Sequence, residues 1–192
     1  MTDVTIFGKG SMGTAIAAVL TKGGATITHI TSDETAATVT GDIVILAVPH
    51  PATQAIVAAY GDQLAGKTVV DITNPLDFST FDSLVVPADG SKTAELAEQL
   101  PTAKVLKAFN TTFAATLASG QVGDTQPTTV LVAGDDADAK QSLIDLVVAG
   151  GLQGIDAGTL KRARELEAVG FLQLTLAVGE KVGWTGGFAV IS

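Results

Sequence analysis

The chain has no cysteine among its 192 residues. That excludes a disulfide framework, thiol catalysis and any metal site built on cysteine. Charge is scarce as well: only 16 % of residues are Asp, Glu, Lys or Arg, and 20 acidic against 11 basic residues give a net charge of −9. An acidic surface disfavours nucleic acid and anionic membranes as partners. No basic and apolar leader precedes the first strand-like run, so no signal peptide is expected. The uncharged stretch from Ala168 to Gly179 is far too short to span a membrane. No H-E-x-x-H or similar metal pattern occurs. The acidic cluster Asp135, Asp136 and Asp138 lacks the ligand spacing of a calcium loop, so helix capping is its expected role. Repeats, low-complexity tracts and proline-rich linkers are missing too, and residues 1–192 read as one domain of a cytoplasmic protein.

What is present is apolar. Residues of that kind make up 46 % of the chain, ample for a large core. Strand-like runs fall at Asp3–Phe7, Ala25–Ile30, Asp42–Ala47, Thr68–Ile72, Lys104–Ala108 and Thr129–Ala133, with a weaker one at Gly151–Asp156. Their near-continuous Val, Ile and Leu content fits strands buried on both faces of a parallel sheet. Helical patterns alternate with them at Met12–Lys22, Ala52–Tyr60, Lys92–Gln99, Ala137–Val148 and Thr159–Val182. The expected fold is α/β: a Rossmann-type, doubly wound, mostly parallel sheet with a C-terminal helix. Only Thr31 to Gly41 separate the second and third strands, too few for a normal crossover helix. The last helix is apolar on most of its circumference, through Leu166, Val169, Phe171, Leu172, Leu174, Leu176 and Val178. Such a helix is buried, either across the sheet or in a homodimer interface.

The chemistry starts at the first strand–helix junction, Gly8-Lys9-Gly10-Ser11-Met12-Gly13. A G-x-G-x-x-G run between a strand and a helix is the dinucleotide fingerprint. Gly8 permits the tight turn, Gly10 lets a pyrophosphate approach the backbone, and Gly13 lets the helix pack on the strand. Ser11 and Met12 open the helix whose free N–H groups face the phosphates, with Lys9 beside them. The adenosine end falls at the end of the second strand, Thr31 and Ser32. Both are neutral donors that can bond a 2′-phosphate, which favours NADP. No arginine is there to clamp a phosphate, and Asp33 is a candidate ribose acceptor, so NAD stays open.

Ligands of open α/β sheets sit beyond the carboxyl ends of the strands. Those ends carry Ala47-Val48-Pro49, Thr73-Asn74-Pro75 and Ala108-Phe109-Asn110. The first two are expected to frame the nicotinamide half. Asn74 either bonds the cofactor or bonds its own turn. Ala108, Phe109 and Asn110 are candidates for the acceptor side, with a core position the other reading of Phe109. His50 is either an acid–base group or an exposed turn histidine, and His29 is expected to be structural. No residue is assigned a catalytic role, and no metal site is expected.

On these residues the chain resembles the NADP-dependent reductases of coenzyme F420, an 8-hydroxy-5-deazaflavin, and their relatives, the NADP-binding domains of ferric reductases. The resemblance rests on the glycine fingerprint, Ala47-Val48-Pro49 and Asp71-Ile72-Thr73-Asn74-Pro75. It continues through Val105-Leu106-Lys107-Ala108-Phe109-Asn110-Thr111, Val132-Ala133-Gly134-Asp135-Asp136, Asp156-Ala157-Gly158-Thr159-Leu160 and Ala163-Arg164-Glu165-Leu166-Glu167. The first segment alone is also similar to proline-biosynthesis reductases, whose extra helical domain does not fit in this length. The resemblance implies hydride transfer between NADPH and a flat small-molecule acceptor, a deazaflavin or flavin. Such chemistry asks the protein mainly to position two rings and exclude water. The chain departs from its relatives at Thr31 and Ser32, where they carry basic residues, and in its short second crossover. The alternative is a non-catalytic dinucleotide-binding redox sensor, or a domain that passes electrons to a partner protein.

Overall fold

The computed structural model describes residues 2–34 and 36–191. Alternating apolar residues build a seven-stranded sheet in the order β2-β1-β3-β4-β5-β8-β9. The strands are β1 (Asp3–Phe7), β2 (Thr26–Ile30), β3 (Ile43–Leu46), β4 (Thr68–Asp71), β5 (Lys104–Lys107), β8 (Thr129–Gly134) and β9 (Gln153–Gly158). A two-stranded hairpin, β6 (Gln121–Val122) and β7 (Gln126–Pro127), stands apart from the sheet. Strands β2 to β5 run parallel; β8 joins β5 antiparallel, and β9 runs parallel to β8. The carboxyl ends of β1 to β5 therefore share one edge, while Gly134 and Asp135 lie at the opposite one.

The period of two is visible in the core. Val4, Ile6, Ile43, Ile45, Val70 and Leu106 pack on one face against α1 (Ser11–Lys22), α4 (Ala114–Ser119) and α5 (Ala137–Ala149). Phe7, Val44, Leu46, Val69 and Val105 pack on the other against α2 (Ala52–Leu64) and α3 (Lys92–Gln99). This is the doubly wound sandwich expected of parallel strands buried on both faces. The chain from β2 to β3 holds no helix among its described residues. It lies so close to the sheet that a Cβ on Gly41 would stand 2.4 Å from the Thr5 nitrogen.

Two expectations need amending. Helix α4 was not foreseen: it has only six residues, and its first turn is closed by the Thr116 hydroxyl accepting from the Phe113 N–H at 3.1 Å. The last helix, α6, spans Ala163–Val178, preceded by a 3-10 turn at Leu160–Arg162, and stops short of Val182 at the cap residue Gly179. Its buried stripe is also not the apolar one. Ala163, Leu166, Glu167, Gly170, Gln173 and Ala177 face inward, while Val169, Leu172 and Val178 are exposed. Asp136 caps α5 by accepting from the Ala139 N–H at 2.8 Å, with Asp138 in the first turn, the role expected of that acidic cluster.

Candidate active site

The glycine turn is fixed by contacts that admit no side chain at two of its positions. Gly8 has φ +99°, and a Cβ there would lie 2.3 Å from the Ala47 carbonyl oxygen. A Cβ on Gly13 would lie 2.6 Å from the Gly8 carbonyl oxygen, so α1 packs directly on the turn. Gly10 differs: no atom lies within 4 Å of the place its Cβ would take. That opening, at the N-cap of a twelve-residue helix, is shaped for a phosphate to meet backbone N–H groups. His29 is structural, as expected: its Nδ1 lies 2.9 Å from the Gly8 carbonyl oxygen and ties the turn to β2.

A cleft runs along the shared strand edge in two parts. The larger, about 770 Å³, reaches from the glycine turn to the end of β2 and is lined by Gly8, Lys9, Thr31, Ser32, Glu34 and the apolar face of α2 up to Tyr60. The second, about 620 Å³, reaches from Ser11 and Met12 across Thr73 and Asn74 to Asn110. Gly10, Ala47, Val48 and Pro49 line both, so the two parts adjoin.

The sequence-derived residues divide accordingly. Those of the glycine turn other than Gly13 line the cleft, as do Thr31, Ser32, Ala47, Val48, Pro49, Thr73, Asn74 and Asn110. Gly13, also expected at the pyrophosphate, does not line the cleft and packs on the Gly8 carbonyl. Pro75, Ala108 and Phe109 do not border the cleft and are corrected to core positions. Pro75 is buried, and Ala108 and Phe109 are fully so. The physical reason is local: φ at Phe109 is +63°, which breaks the strand and leaves Asn110 facing the cavity while the ring joins the core.

Asn74 lines the cleft, and its side chain bonds across to Asn110 and not to its own turn. Its Nδ2 donates to the Asn110 carbonyl at 2.9 Å, and its Oδ1 accepts from Asn110 Nδ2 at 2.9 Å. Asn110 Nδ2 also donates to the Leu166 carbonyl on α6 at 2.8 Å. Gly170 makes room for this pair, since a Cβ there would stand 2.2 Å from Asn74 Oδ1.

Three buried polar atoms in this half of the cleft have no partner: His50 Nδ1, Thr73 Oγ1 and Asn110 Oδ1. Each belongs to a residue of the cavity wall. Buried polar groups are nearly always paired, so three orphans at one cavity mark places for a ligand's donors and acceptors. Desolvation holds the His50 pKa below its ordinary value, assisted by the nearby Lys92 charge. The same cavity is also lined by the aromatic side chains of Phe78, Phe113 and Trp184. Phe113 and Trp184 meet edge to face at 5.0 Å. Sequence reasoning missed these aromatics because Phe113 and Trp184 stand far apart in the chain. Trp184 is nevertheless the single tryptophan.

Beneath the site lies an ion cluster that sequence reasoning also missed. Lys107 Nζ lies 3.0 Å from both Asp71 Oδ2 and Glu167 Oε1, all with side chains at most 1 % exposed, and also donates to the Thr73 carbonyl. Glu167 accepts from the Lys92 and Thr93 N–H groups, where the positive end of α3 favours a carboxylate. Burial raises the Asp71 pKa, but Lys107 and hydrogen bonds from Thr73 and Thr93 outweigh it and hold the carboxyl below its ordinary value. The cluster ties β4, β5, α3 and α6 together directly below Thr73.

At the other end, Glu34 is a cleft residue that the sequence reading passed over. Its Oε2 accepts from the Thr31 N–H at 2.8 Å and lies 3.0 Å from the Thr31 hydroxyl oxygen. Asp33 accepts from the same hydroxyl, which holds its carboxyl below the usual range.

Comparison with known proteins joins the pattern. The family described as "NADP oxidoreductase coenzyme F420-dependent" matches residues 24–75. An F420-dependent NADP reductase of Methanocaldococcus jannaschii is 33 % identical over 150 residues, 76 % of this chain and 66 % of that protein. The chain is similar to members of the F420-dependent NADP oxidoreductase family. The metalloreductase STEAP3 of Rattus norvegicus is 37 % identical over 109 residues, covering 56 % of this chain but only 21 % of that protein. A provisionally assigned F420-dependent NADP reductase of Arthrobacter sp. FB24 superposes over the full length of both chains, with a TM-score of 0.86 at 25 % identity. The chain thus spans just under two thirds of the methanogen family member and about a fifth of the metalloreductase. No helix among the described residues is long and apolar enough to cross a membrane.

Proposed function

We propose that this chain acts as one dinucleotide-binding domain of the cytoplasm, taking NADP(H) along the cleft and exchanging hydride with a flat deazaflavin or flavin acceptor. The observation that carries this reading is the cavity at Asn110. Three orphaned polar atoms, His50 Nδ1, Thr73 Oγ1 and Asn110 Oδ1, line a space walled mainly by aromatic and aliphatic groups, with Ser11, Asn74 and Thr112 among them. A planar heterocycle has that pattern: apolar faces and a polar edge. The opening at Gly10 suits the pyrophosphate between the two halves.

When bound, the nicotinamide supplies the hydride. The protein's part is placement. Ser11 and Met12 begin the helix that receives the phosphates, and Lys9 adds a positive charge beside them. Val48 and Pro49 form a stiff apolar shelf between the halves of the cleft. Asn110, fixed by Asn74 and Leu166, presents its side-chain Oδ1 to a ligand donor. Phe78, Phe113 and Trp184 keep water from the ring faces. Net reduction of the acceptor consumes NADPH and one proton and yields NADP⁺. Holding two rings in reacting geometry accounts for much of such catalysis without an acid–base pair.

Stopped-flow oxidation of NADPH and NADH with free flavins, a deazaflavin and ferric chelates tests the reading. Turnover with a deazaflavin or flavin is expected. Tight binding of NADPH without turnover on any acceptor would replace it with the redox-sensor or partner-protein alternative. The exposed Val169, Leu172 and Val178 on α6 support a homodimer through that helix, which light scattering would test.

A further inference from the structure

We propose that Glu34 sets the choice between dinucleotides with and without a 2′-phosphate, by holding a carboxylate on the Thr31 donors that such a phosphate needs. The inference rests on the cofactor assignment above and goes beyond it by naming the discriminating group.

In doubly wound sheets the adenosine ribose lies at the end of the second strand. Here that place offers the Thr31 N–H and hydroxyl: Glu34 Oε2 accepts from the N–H at 2.8 Å and lies 3.0 Å from the hydroxyl oxygen, whose single proton has Asp33 Oδ1 as its nearer acceptor. The loop that carries Glu34 is anchored: the Tyr60 hydroxyl donates to the Glu34 carbonyl at 3.0 Å, and the Tyr60 ring packs edge to face on Phe7. The carboxylate is thus presented at the cleft wall, among the residues lining its adenosine half.

Little positive charge opposes it. Among the described residues lining this half, Lys9 alone is basic. Of the chain's two arginines, Arg162 ends the 3-10 turn that lies against β5, β8 and β9, and Arg164 is on α6, which lies against β8 and α3. Strand β5 is four places from β2 in the sheet, on the order of 19 Å at the usual strand spacing, beyond an arginine's reach. An incoming 2′-phosphate must therefore displace Glu34 and then sit beside two carboxylates. A ribose 2′-hydroxyl meets no such conflict, because it can donate to the same oxygen.

The test is the ratio of NADPH to NADH affinity, measured by titration calorimetry on the wild type, Glu34→Gln and Glu34→Ala. Adenosine 2′,5′-bisphosphate and 5′-AMP serve as probes of the adenosine end alone. Removing one unit charge at contact distance in water moves the ratio about fivefold toward NADPH, and the bisphosphate is expected to gain over 5′-AMP in the same measure. The alanine variant guards against a glutamine that keeps Thr31 occupied. An unchanged ratio, or a shift toward NADH, with both dinucleotides still binding, overturns the role of Glu34 and leaves the cofactor assignment standing. Failure of both dinucleotides to bind the wild type overturns the two together.

Discussion

Two pairs of carboxylates stand at opposite ends of the cleft, and their settings differ in every respect. Asp71 and Glu167 are buried and share the Lys107 ammonium. Asp33 and Glu34 lie near the surface and share the hydroxyl of Thr31. Burial makes a counter-ion obligatory, because an unpaired charge in the interior is very costly, and so the first pair is locked into the frame. Water relieves the second pair of that need. Its partners are exchangeable, and a ligand can compete for them. The same functional group thus builds one end of the site and tunes the other.

Breaking the buried pair is expected to have the largest effect. Lys107→Met strands two carboxylates in the core and should cost about 3–5 kcal/mol, a large part of an ordinary domain's stability. Urea denaturation would show it as a lowered midpoint. An unchanged midpoint would mean that the cluster is not a structural clamp. Gly170→Ala attacks the layer above, placing a Cβ 2.2 Å from Asn74 Oδ1. Overpacking of this kind costs about 1–3 kcal/mol. The acceptor KM should rise while affinity for the adenosine half is kept, which paired kinetic and binding measurements would separate.

Acid sharpens the contrast. The Asp71 carboxyl is held below its ordinary 3.8. A group depressed in the folded state stabilises fully above its unfolded value and loses that contribution as pH falls through the folded one. Stability should therefore be level in this respect above about pH 5 and decline below about pH 4, as urea midpoints against pH would record. Thr73→Val makes a subtler cut. It removes a hydroxyl that has no partner in the free protein. The free protein should be as stable as before or more so, while ligand affinity falls by about 0.5–1.5 kcal/mol, one hydrogen bond's worth. Calorimetry of both states checks this. The smallest effect belongs to the exposed pair: Thr31→Val should alter stability by less than about 0.5 kcal/mol, yet let the Asp33 pKa rise toward its ordinary value in an NMR titration.

What could be read from sequence was what neighbouring residues settle between themselves. Strand β1 and helix α3 begin and end where their patterns place them. That the second crossover holds at most a one- or two-turn helix followed from the number of residues available, and none is present among the described residues. The glycine turn was legible because the constraint on it is backbone geometry within one junction. Parts built from distant segments were not. Lys107 meets Glu167 across sixty positions, and Phe113 meets Trp184 from another element. Phe109 misled because a single positive φ reversed the inside–outside alternation of β5. Helix α6 misled differently. Its leucines suggested the buried face, but polar side chains that must satisfy N–H and ammonium groups took that place: Glu167 at α3 and Lys107, and Gln173 between the Thr111 carbonyl and the Phe188 N–H.

The chain carries nine lysines, and Lys107 is the one whose side chain has no exposure at all. An acylating reagent needs a free, uncharged amine that it can touch. Lys107, enclosed and paired with two carboxylates, is out of the reagent's reach until the frame comes apart. In a labelling experiment read by mass spectrometry, the mark on Lys107 therefore serves as a clock for whole-molecule opening, set against the immediate labelling of surface amines such as Lys9. A bound dinucleotide that steadies the fold would slow that clock without touching the lysine.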